Sequence, residues 1–318
     1  MPVVEAENLS KRFGRNAVLQ KVDLAVESGE IFGLIGPSGS GKSTLIRTLT
    51  GYYPPSGGGV RLFGEDPASF GPDERRRIGF MPQGFVLYPQ LSVRRNLSFI
   101  AGIYGLGLRE RRRRVREVLQ FVELWDARRR RAANVSGGMQ RRLQLAAAMV
   151  HRPELMFVDE PTANLDPILR NKLWERFEAL RDEGKAIIVS TQYVEEAGRC
   201  DRVGLLSGGR MIASGTPREL LRQAFGGEIV RLELGGDIGR AGGYLQALER
   251  LGHVSDINRF SAGGKTKTII RLIVDDADPV LPEVFRALQG AEVLAADVHT
   301  PSFDEVFVRL EERAGEAG

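Results

Sequence analysis

Cysteine is nearly absent: the 318 residues contain one, Cys200. A single thiol cannot close an internal disulfide, so nothing in the chain calls for an oxidising compartment. Cys200 reads as a small buried or half-buried residue. Long apolar runs are missing too. The nearest, residues 99–108, is broken by Gly102, Gly105 and Gly107 and falls short of the roughly 20 residues a membrane helix requires. The opening residues, Met1-Pro2-Val3-Val4-Glu5, lack a basic segment followed by an apolar one, so no signal peptide is read there. The expectation is a soluble chain, or one attached to a membrane only through a partner. Charge is close to balance, at 45 Lys+Arg against 41 Asp+Glu for a net +4, and arginine carries nearly all of the positive side. It clusters at 75–77, 109–116 and 128–131. These clusters lack interleaved aromatics, and the middle one has the spacing of a solvated helix face. A solvated or partner-facing surface is the preferred reading, with acidic lipid headgroups or nucleic acid left open. The length allows two domains and a sizeable core.

Against these absences stands one dense stretch, Gly36-Pro37-Ser38-Gly39-Ser40-Gly41-Lys42-Ser43. It has the G-x-x-x-x-G-K-S pattern of a phosphate loop. An apolar run of strand length, residues 31–35, precedes it, and residues 42–50 read as a helix with Leu45, Ile46 and Leu49 on one side. Glycines let backbone N–H groups curl around phosphate oxygens without a Cβ in the way. The helix that starts there points its positive end at the same anion. Lys42 adds a charge that can reach β- and γ-phosphates, and the Ser43 hydroxyl can ligate Mg²⁺.

Further along, Phe13 is expected on a loop between two strands, either stacking on a nucleobase or serving as a satellite core residue. Residues 78–81 read as a short buried strand, left through Pro82 and Gln83; Gln83 can touch a metal ion's water shell or be merely solvated. From residue 92 to 132 the apolar spacing turns helical, which suggests a helical subdomain. Asn134-Val135-Ser136-Gly137-Gly138-Met139-Gln140 is a glycine-rich loop opening a helix, an anion site in outline, though Ser136 is also a good N-cap by itself. Residues 155–158 form an apolar strand running into Asp159 and Glu160. Asp159 at the strand end can hold Mg²⁺, and Glu160 is then placed to orient or deprotonate a water. Asp166-Pro167 reads as an N-cap and first helical position. Residues 186–190 are a fully apolar strand of the parallel-sheet kind, ending at Thr191-Gln192.

In order and rough spacing, the phosphate loop, Gln83, Ser136-Gly137-Gly138, Asp159-Glu160 and Leu165-Asp166 resemble the ATPase subunits of ABC transporters, over residues 1–224. The resemblance implies an α/β fold: a P-loop NTPase core with an antiparallel β part and a helical subdomain at about 84–152. The first domain is set at 1–225, ahead of a small α+β C-terminal domain, 226–318. It implies ATP and Mg²⁺ as cofactors, ATP hydrolysis as the activity, and a place on the cytoplasmic face of a membrane beside a permease. By this resemblance Phe13 stacks on adenine. Gly36, Ser38, Gly39, Ser40, Gly41, Lys42, Ser43 and Thr44 hold phosphates, and Ser43, Asp159 and Gln83 attend the metal. Ser136, Gly137 and Gly138 bind the γ-phosphate held by a second subunit, so the working unit is a head-to-tail dimer, a homodimer in the simplest case, with Asp166 coupling the two sites. Residues 87–93 lie where the permease docks. No nucleic-acid partner is expected. Met139 stands where the signature loop usually has Gln, and Ser-Gly-Gly-Met before Arg-Arg-Leu looks like the drug, antibiotic and polysaccharide exporter branch. Gln192 occupies the position of the family's switch histidine; its amide N–H can still donate to a γ-phosphate oxygen, but it carries no titratable charge.

After Gly226-Gly227 the pattern is strand, helix, strand, strand, helix, strand: residues 229–234, 241–251, 253–260, 266–274, 279–288 and 293–299. That is a ferredoxin-like order, closed by a helix at 302–312. Residues 300–307 resemble the ending of drug- and lipid-exporter ATPases. No catalytic constellation is seen in this part, and His253 and His299 read as solvated or hydrogen-bonded histidines.

Overall fold

Apolar strands of five or six residues dictate the architecture of the first unit. The computed structural model describes residues 2–163, 165–236, 242–262, 265–299 and 301–316. Asn164 lies outside them, as do Ala241 and Thr300, read above as parts of a helix and of the closing motif. The chain divides into two units, Met1–Thr216 and Pro217–Gly318.

The first unit opens with β1 (Val4–Phe13), β2 (Asn16–Val26), β3 (Ile31–Ile35), α1 (Lys42–Leu49) and β4 (Gly57–Leu62). Next come α2 (Pro72–Arg76), β5 (Ile78–Met81), α3 (Val93–Ile103), α4 (Leu108–Phe121) and α5 (Gly137–Met149). It ends with β6 (Leu155–Asp159), α6 (Pro167–Asp182), β7 (Ala186–Thr191), β8 (Arg202–Ser207) and β9 (Arg210–Gly215). Every residue of β3, β6 and β7 is buried, as a parallel sheet covered on both faces demands. They form a six-stranded sheet in the order β5-β6-β7-β3-β8-β9, parallel from β5 through β8 and antiparallel at β8–β9. A second, antiparallel sheet runs β2-β1-β4. Between the sheets Leu45, Ile46 and Leu49 of α1 pack with Val4, Leu24, Leu62, Phe32 and Phe157.

Caps set the helix limits. The Ser92 side chain accepts from the Arg95 N–H at the start of α3. Asp166 accepts from the Ile168 and Leu169 N–H groups ahead of Pro167, the pairing read from the sequence. Helices α3, α4 and α5 make the helical insertion between β5 and β6.

In the second unit α7 (Pro217–Phe225) precedes β10 (Glu228–Gly235), α8 (Gly242–Glu249), β11 (His253–Ala262), β12 (Lys265–Val274), α9 (Ala277–Ala287), β13 (Val293–His299) and α10 (Phe303–Glu316). Its sheet is antiparallel in the order β11-β12-β10-β13. Numbered within the unit, that is 2-3-1-4, the ferredoxin-like arrangement. Val230, Leu232 and Leu234 alternate inward from β10 to meet Leu248, Val284 and Leu288. The unit boundary falls nine residues before the expected 225/226, because α7 groups with the C-terminal unit. Phe13 also differs from expectation: it is the last residue of β1, paired with Asn16 of β2, not a loop residue.

Candidate nucleotide site

Strand order decides where the chemistry collects. β5, β6, β7 and β3 are neighbours and parallel, so their carboxyl ends open on one edge, where α/β sheets hold ligands. Gln83 follows β5, Asp159-Glu160 end β6, Gln192 follows β7 and Gly36 to Ser43 follow β3. Four motifs far apart in sequence therefore meet on one edge. Gln83 and Gln192 are both exposed there.

The phosphate loop is shaped as its glycines require. Gly39 and Gly41 adopt φ of 82° and 110°, a region open to glycine. A Cβ on Gly36 would lie 2.1 Å from the Leu206 carbonyl oxygen, whereas one on Gly39 would meet nothing within 4 Å. The loop thus packs its back on β8 and leaves its outer side open. Ser38 is exposed, while Ser43 and Thr44 are half-buried in the first turn of α1. Lys42 is buried; its Nζ donates to the Gly36 oxygen at 2.8 Å and the Pro37 oxygen at 3.0 Å. The same Nζ pairs with Glu160 Oε1 at 3.3 Å.

Around Asp159 a small oxygen network forms. Ser43 Oγ donates to Asp159 Oδ1 at 3.1 Å, and Ser190 Oγ donates to the same oxygen at 2.6 Å. Ser190 Oγ also accepts from the Glu160 N–H at 3.0 Å. Glu160 sits at φ 49°, a strained backbone for a residue with a side chain, costing of order 1 kcal/mol or more. Two polar atoms at this edge are buried without a partner: Ser40 Oγ and Glu160 Oε2. Such orphans are rare in folded proteins and mark where something else binds.

Ser136 caps α5, its Oγ accepting from the Met139 N–H at 3.3 Å. Gly138 faces α6, since a Cβ there would sit 2.5 Å from Leu169 Cδ1. Among the described residues no hydrogen bond or ion pair joins Ser136, Gly137 or Gly138 to the chain's own phosphate loop. Asp166 lies at the head of the same α6. This second glycine loop therefore borders α6.

A family model described as "ABC transporter" matches residues 19–163. The linearmycin resistance ATP-binding protein LnrL of Bacillus subtilis is 32% identical over 317 residues, spanning 97% of this chain and 98% of that protein. The chain is an ATP-binding subunit of the ABC transporter family. Its activity is that of an ABC ATPase. The Nod factor export ATP-binding protein I of Rhizobium etli is 35% identical over 303 residues, covering 92% of this chain and 95% of that one. Among solved structures, a dimeric ATP-binding cassette in a post-hydrolysis state, bound to ADP and Pi, superposes with a TM-score of 0.62 at 29% identity. It covers 68% of this chain and 99% of that one. ABC ATPases dimerise and pair with membrane permease subunits; no helix among the described residues is long and apolar enough to cross a membrane.

Several partners of the ABC site carried no sequence signal. Arg141 on α5 donates from Nη1 to the Pro82 oxygen at 3.3 Å and from Nη2 to the Glu160 oxygen at 3.1 Å. Gln144, one turn on, donates to the Pro82 and Gly84 oxygens, so the two side chains brace the backbone on both sides of Gln83. Burial lowers the pKa of Arg141 from its usual range, while Asp159 and Glu160 oppose that shift. Near Phe13, which is 44% exposed, the Tyr53 ring packs edge-on at 5.1 Å and Lys11 Nζ stands 4.9 Å from the Phe13 ring. The i, i+3 spacing of Arg141 and Gln144 was visible, but nothing in it says which backbone it faces.

Proposed function

We propose that this subunit hydrolyses ATP in two composite sites between head-to-tail copies of itself, and so drives export through a separate membrane permease. The observation that carries this is that, among the described residues, no hydrogen bond or ion pair joins Ser136 to Gly138 with the chain's own phosphate loop. Ser40 Oγ of the phosphate loop and Glu160 Oε2 at the end of β6 are buried without partners, the loop's outer side is open, and Gly138 borders α6. A second copy can bring its Ser136 loop over the first copy's phosphate loop.

The residues present fit the cofactors. The glycine loop offers backbone N–H groups and space for phosphates. Ser43 and Asp159 offer the hard oxygen donors a magnesium ion takes, with Gln83 on the neighbouring strand end. ATP supplies the scissile anhydride and Mg²⁺ neutralises charge on it. Lys42 exchanges the Gly36 and Pro37 oxygens for phosphate oxygens, which also loosens its hold on Glu160. Glu160, fixed by Ser190 and Arg141 through its backbone, aims its unpaired Oε2 at a water and takes a proton from it. Ser136 Oγ, accepting at the cap, keeps its own O–H to donate to the partner's nucleotide. Phe13 presents a ring face to the base. Gln192 donates an amide N–H to the terminal phosphate without carrying charge.

Two names support the export direction: linearmycin resistance for one relative, Nod factor export for another. A groove of about 450 Å³ lined by Arg47, Tyr52, Tyr53, Arg75, Phe80 and Tyr104, with residues 87–93 on the helical insertion, is assigned to the permease. Co-purification with a multi-spanning membrane protein tests that partnership, and stable ribosome or DNA association in its place overturns it. The sandwich is tested by Glu160→Gln with ATP and Mg²⁺ in size-exclusion chromatography. A shift from monomer to dimer is expected, and a monomer that persists at saturating ATP refutes it. Gln192→Ala is expected to lower ATP turnover and Gln192→His to retain it; an Ala variant equal to wild type removes Gln192 from the chemistry.

A further inference from the structure

Two arginine clusters that are far apart in sequence become one surface. The Arg94 N–H donates to the Arg128 oxygen at 3.0 Å and the Val93 N–H to the Arg130 oxygen at 2.9 Å. On the same seam the Ala132 N–H donates to the Leu91 oxygen and the Ala133 N–H to the Pro89 oxygen. This backbone pairing sets Arg94 and Arg95 beside Arg128 to Arg131. Arg94, Arg95, Arg129, Arg130 and Arg131 are exposed, and among the described residues no acidic side chain pairs with any of them. Arg128 and Arg116 extend the patch, standing 4.5 Å and 5.4 Å from the Trp125 ring. The nearest acidic neighbour of Arg128 to Arg131 along the chain is the exposed Asp126. No Asp or Glu occurs between Glu74 and Glu110, or between Asp126 and Glu154.

The cations adjoin an apolar rim. Arg95, Phe99 and Ile103 share one face of α3 at i, i+4 spacing, with Phe99 42% and Ile103 65% exposed. Tyr88, 51% exposed, packs edge-on against Phe99 at 5.0 Å. Its backbone is pinned by Asn96, which accepts from the Tyr88 N–H and donates to the Tyr88 oxygen. Guanidinium groups beside an aromatic and aliphatic knob are what a surface needs to sit at a bilayer's headgroup level, where aromatics and the stems of arginines lodge among lipids. A nucleic-acid groove would instead offer ring faces for bases. Here the edge-on pair covers a ring face, and Ile103 has no face to offer.

We propose that this patch on the helical insertion binds anionic phospholipid headgroups, giving the ATPase a membrane contact of its own. The proposal adds to the permease partnership, with Tyr88 as the one rim side chain that also belongs to the 87–93 segment assigned to the permease, and does not need a permease for its test. Full-length protein is floated with vesicles of phosphatidylcholine alone, and with vesicles of equal parts phosphatidylcholine and phosphatidylglycerol. Binding is expected only to the anionic vesicles and is expected to vanish at high salt, where screening shortens to about 3 Å. Each arginine at such a surface is worth about five-fold in affinity. Arg129→Gln/Arg130→Gln/Arg131→Gln together should therefore cost roughly a hundred-fold, with ATPase activity unchanged in solution. A charge-matched comparison sets Arg94→Gln/Arg95→Gln against Arg250→Gln/Arg286→Gln, two exposed arginines of the other unit. Equal losses in the two pairs would reduce the effect to net charge and overturn the proposal. So would equal binding to neutral vesicles, absence of binding to anionic ones at low salt, or tighter binding of RNA or DNA through the same arginines.

Discussion

His151 makes the first unit sensitive to mild acid, and the size of the effect can be worked out. The ring lies just past α5, 9% exposed. It stacks on Tyr104 with centroids 3.6 Å apart and planes 4° from parallel. Nε2 meets the Ile78 oxygen at 2.9 Å, which in the neutral ring makes Nε2 the donor. Nδ1 is buried with no partner, so a second proton would sit there unsolvated. Burial, with Arg76 and Arg114 nearby, lowers the pKa from 6.5 to about 4, while the Ile78 bond opposes the shift. The unfolded chain takes up this proton near 6.5 and the folded chain does not, so stability falls as pH drops through the window from about 6.5 to 4. Between pH 8 and pH 5 the imidazole removes about 2 kcal/mol, and about 3 kcal/mol over the whole window. Urea unfolding followed by tryptophan fluorescence isolates this unit, because both tryptophans, Trp125 and Trp174, lie in it. His151→Gln keeps a neutral donor for the Ile78 oxygen and cannot titrate. Wild type should lose about 2 kcal/mol more than the variant on going from pH 8 to pH 5. Other groups cancel in that difference, including Glu196, which burial shifts upward. Stability curves that run parallel in the two proteins would refute the reasoning.

Arg141→Met removes charged hydrogen bonds to the Pro82 and Glu160 oxygens, each worth about 1.5 to 3 kcal/mol. Turnover should fall by about ten-fold or more while the KM for ATP moves little, with Arg141→Lys restoring part of it; unchanged kcat would mean that the brace is idle. Cys200 is buried, and burial pushes its thiol well above the usual range. Ellman's reagent should therefore find no thiol in the native protein and one after unfolding in urea. Rapid modification of the native chain would contradict the packing.

Much of the site could be read in the sequence because local chemistry writes it there. An all-apolar run next to Gly36 or Asp159 says buried strand, and the residue after such a strand stands at a sheet edge. The pattern of the second unit gave its strand order for a similar reason, since few arrangements of that element order exist. What escaped was long-range or irregular. β1 runs on to Phe13 through three register shifts against β2, which break the alternation that would announce a strand. Ser190 looked like one more residue of an apolar strand until β6 and β7 paired and set it against Asp159. Arg141 and Gln144 read as the polar face of a helix, because only the folded backbone shows them the carbonyls around Gln83. The α7 boundary depended on packing rather than composition.

The central place of β3 has a price during synthesis. Its neighbours in the sheet are β7 and β8, so Ile31 to Ile35 wait for partners that begin about 150 residues later. At roughly 5 to 20 residues per second, the ribosome takes between about 8 and 30 s to deliver them. Throughout that interval a five-residue hydrophobic segment with two unpaired edges is carried by the nascent chain. The strand that launches the phosphate loop is thus the one most exposed to wrong pairing, and the nucleotide-binding edge closes only once Gln192 has left the exit tunnel.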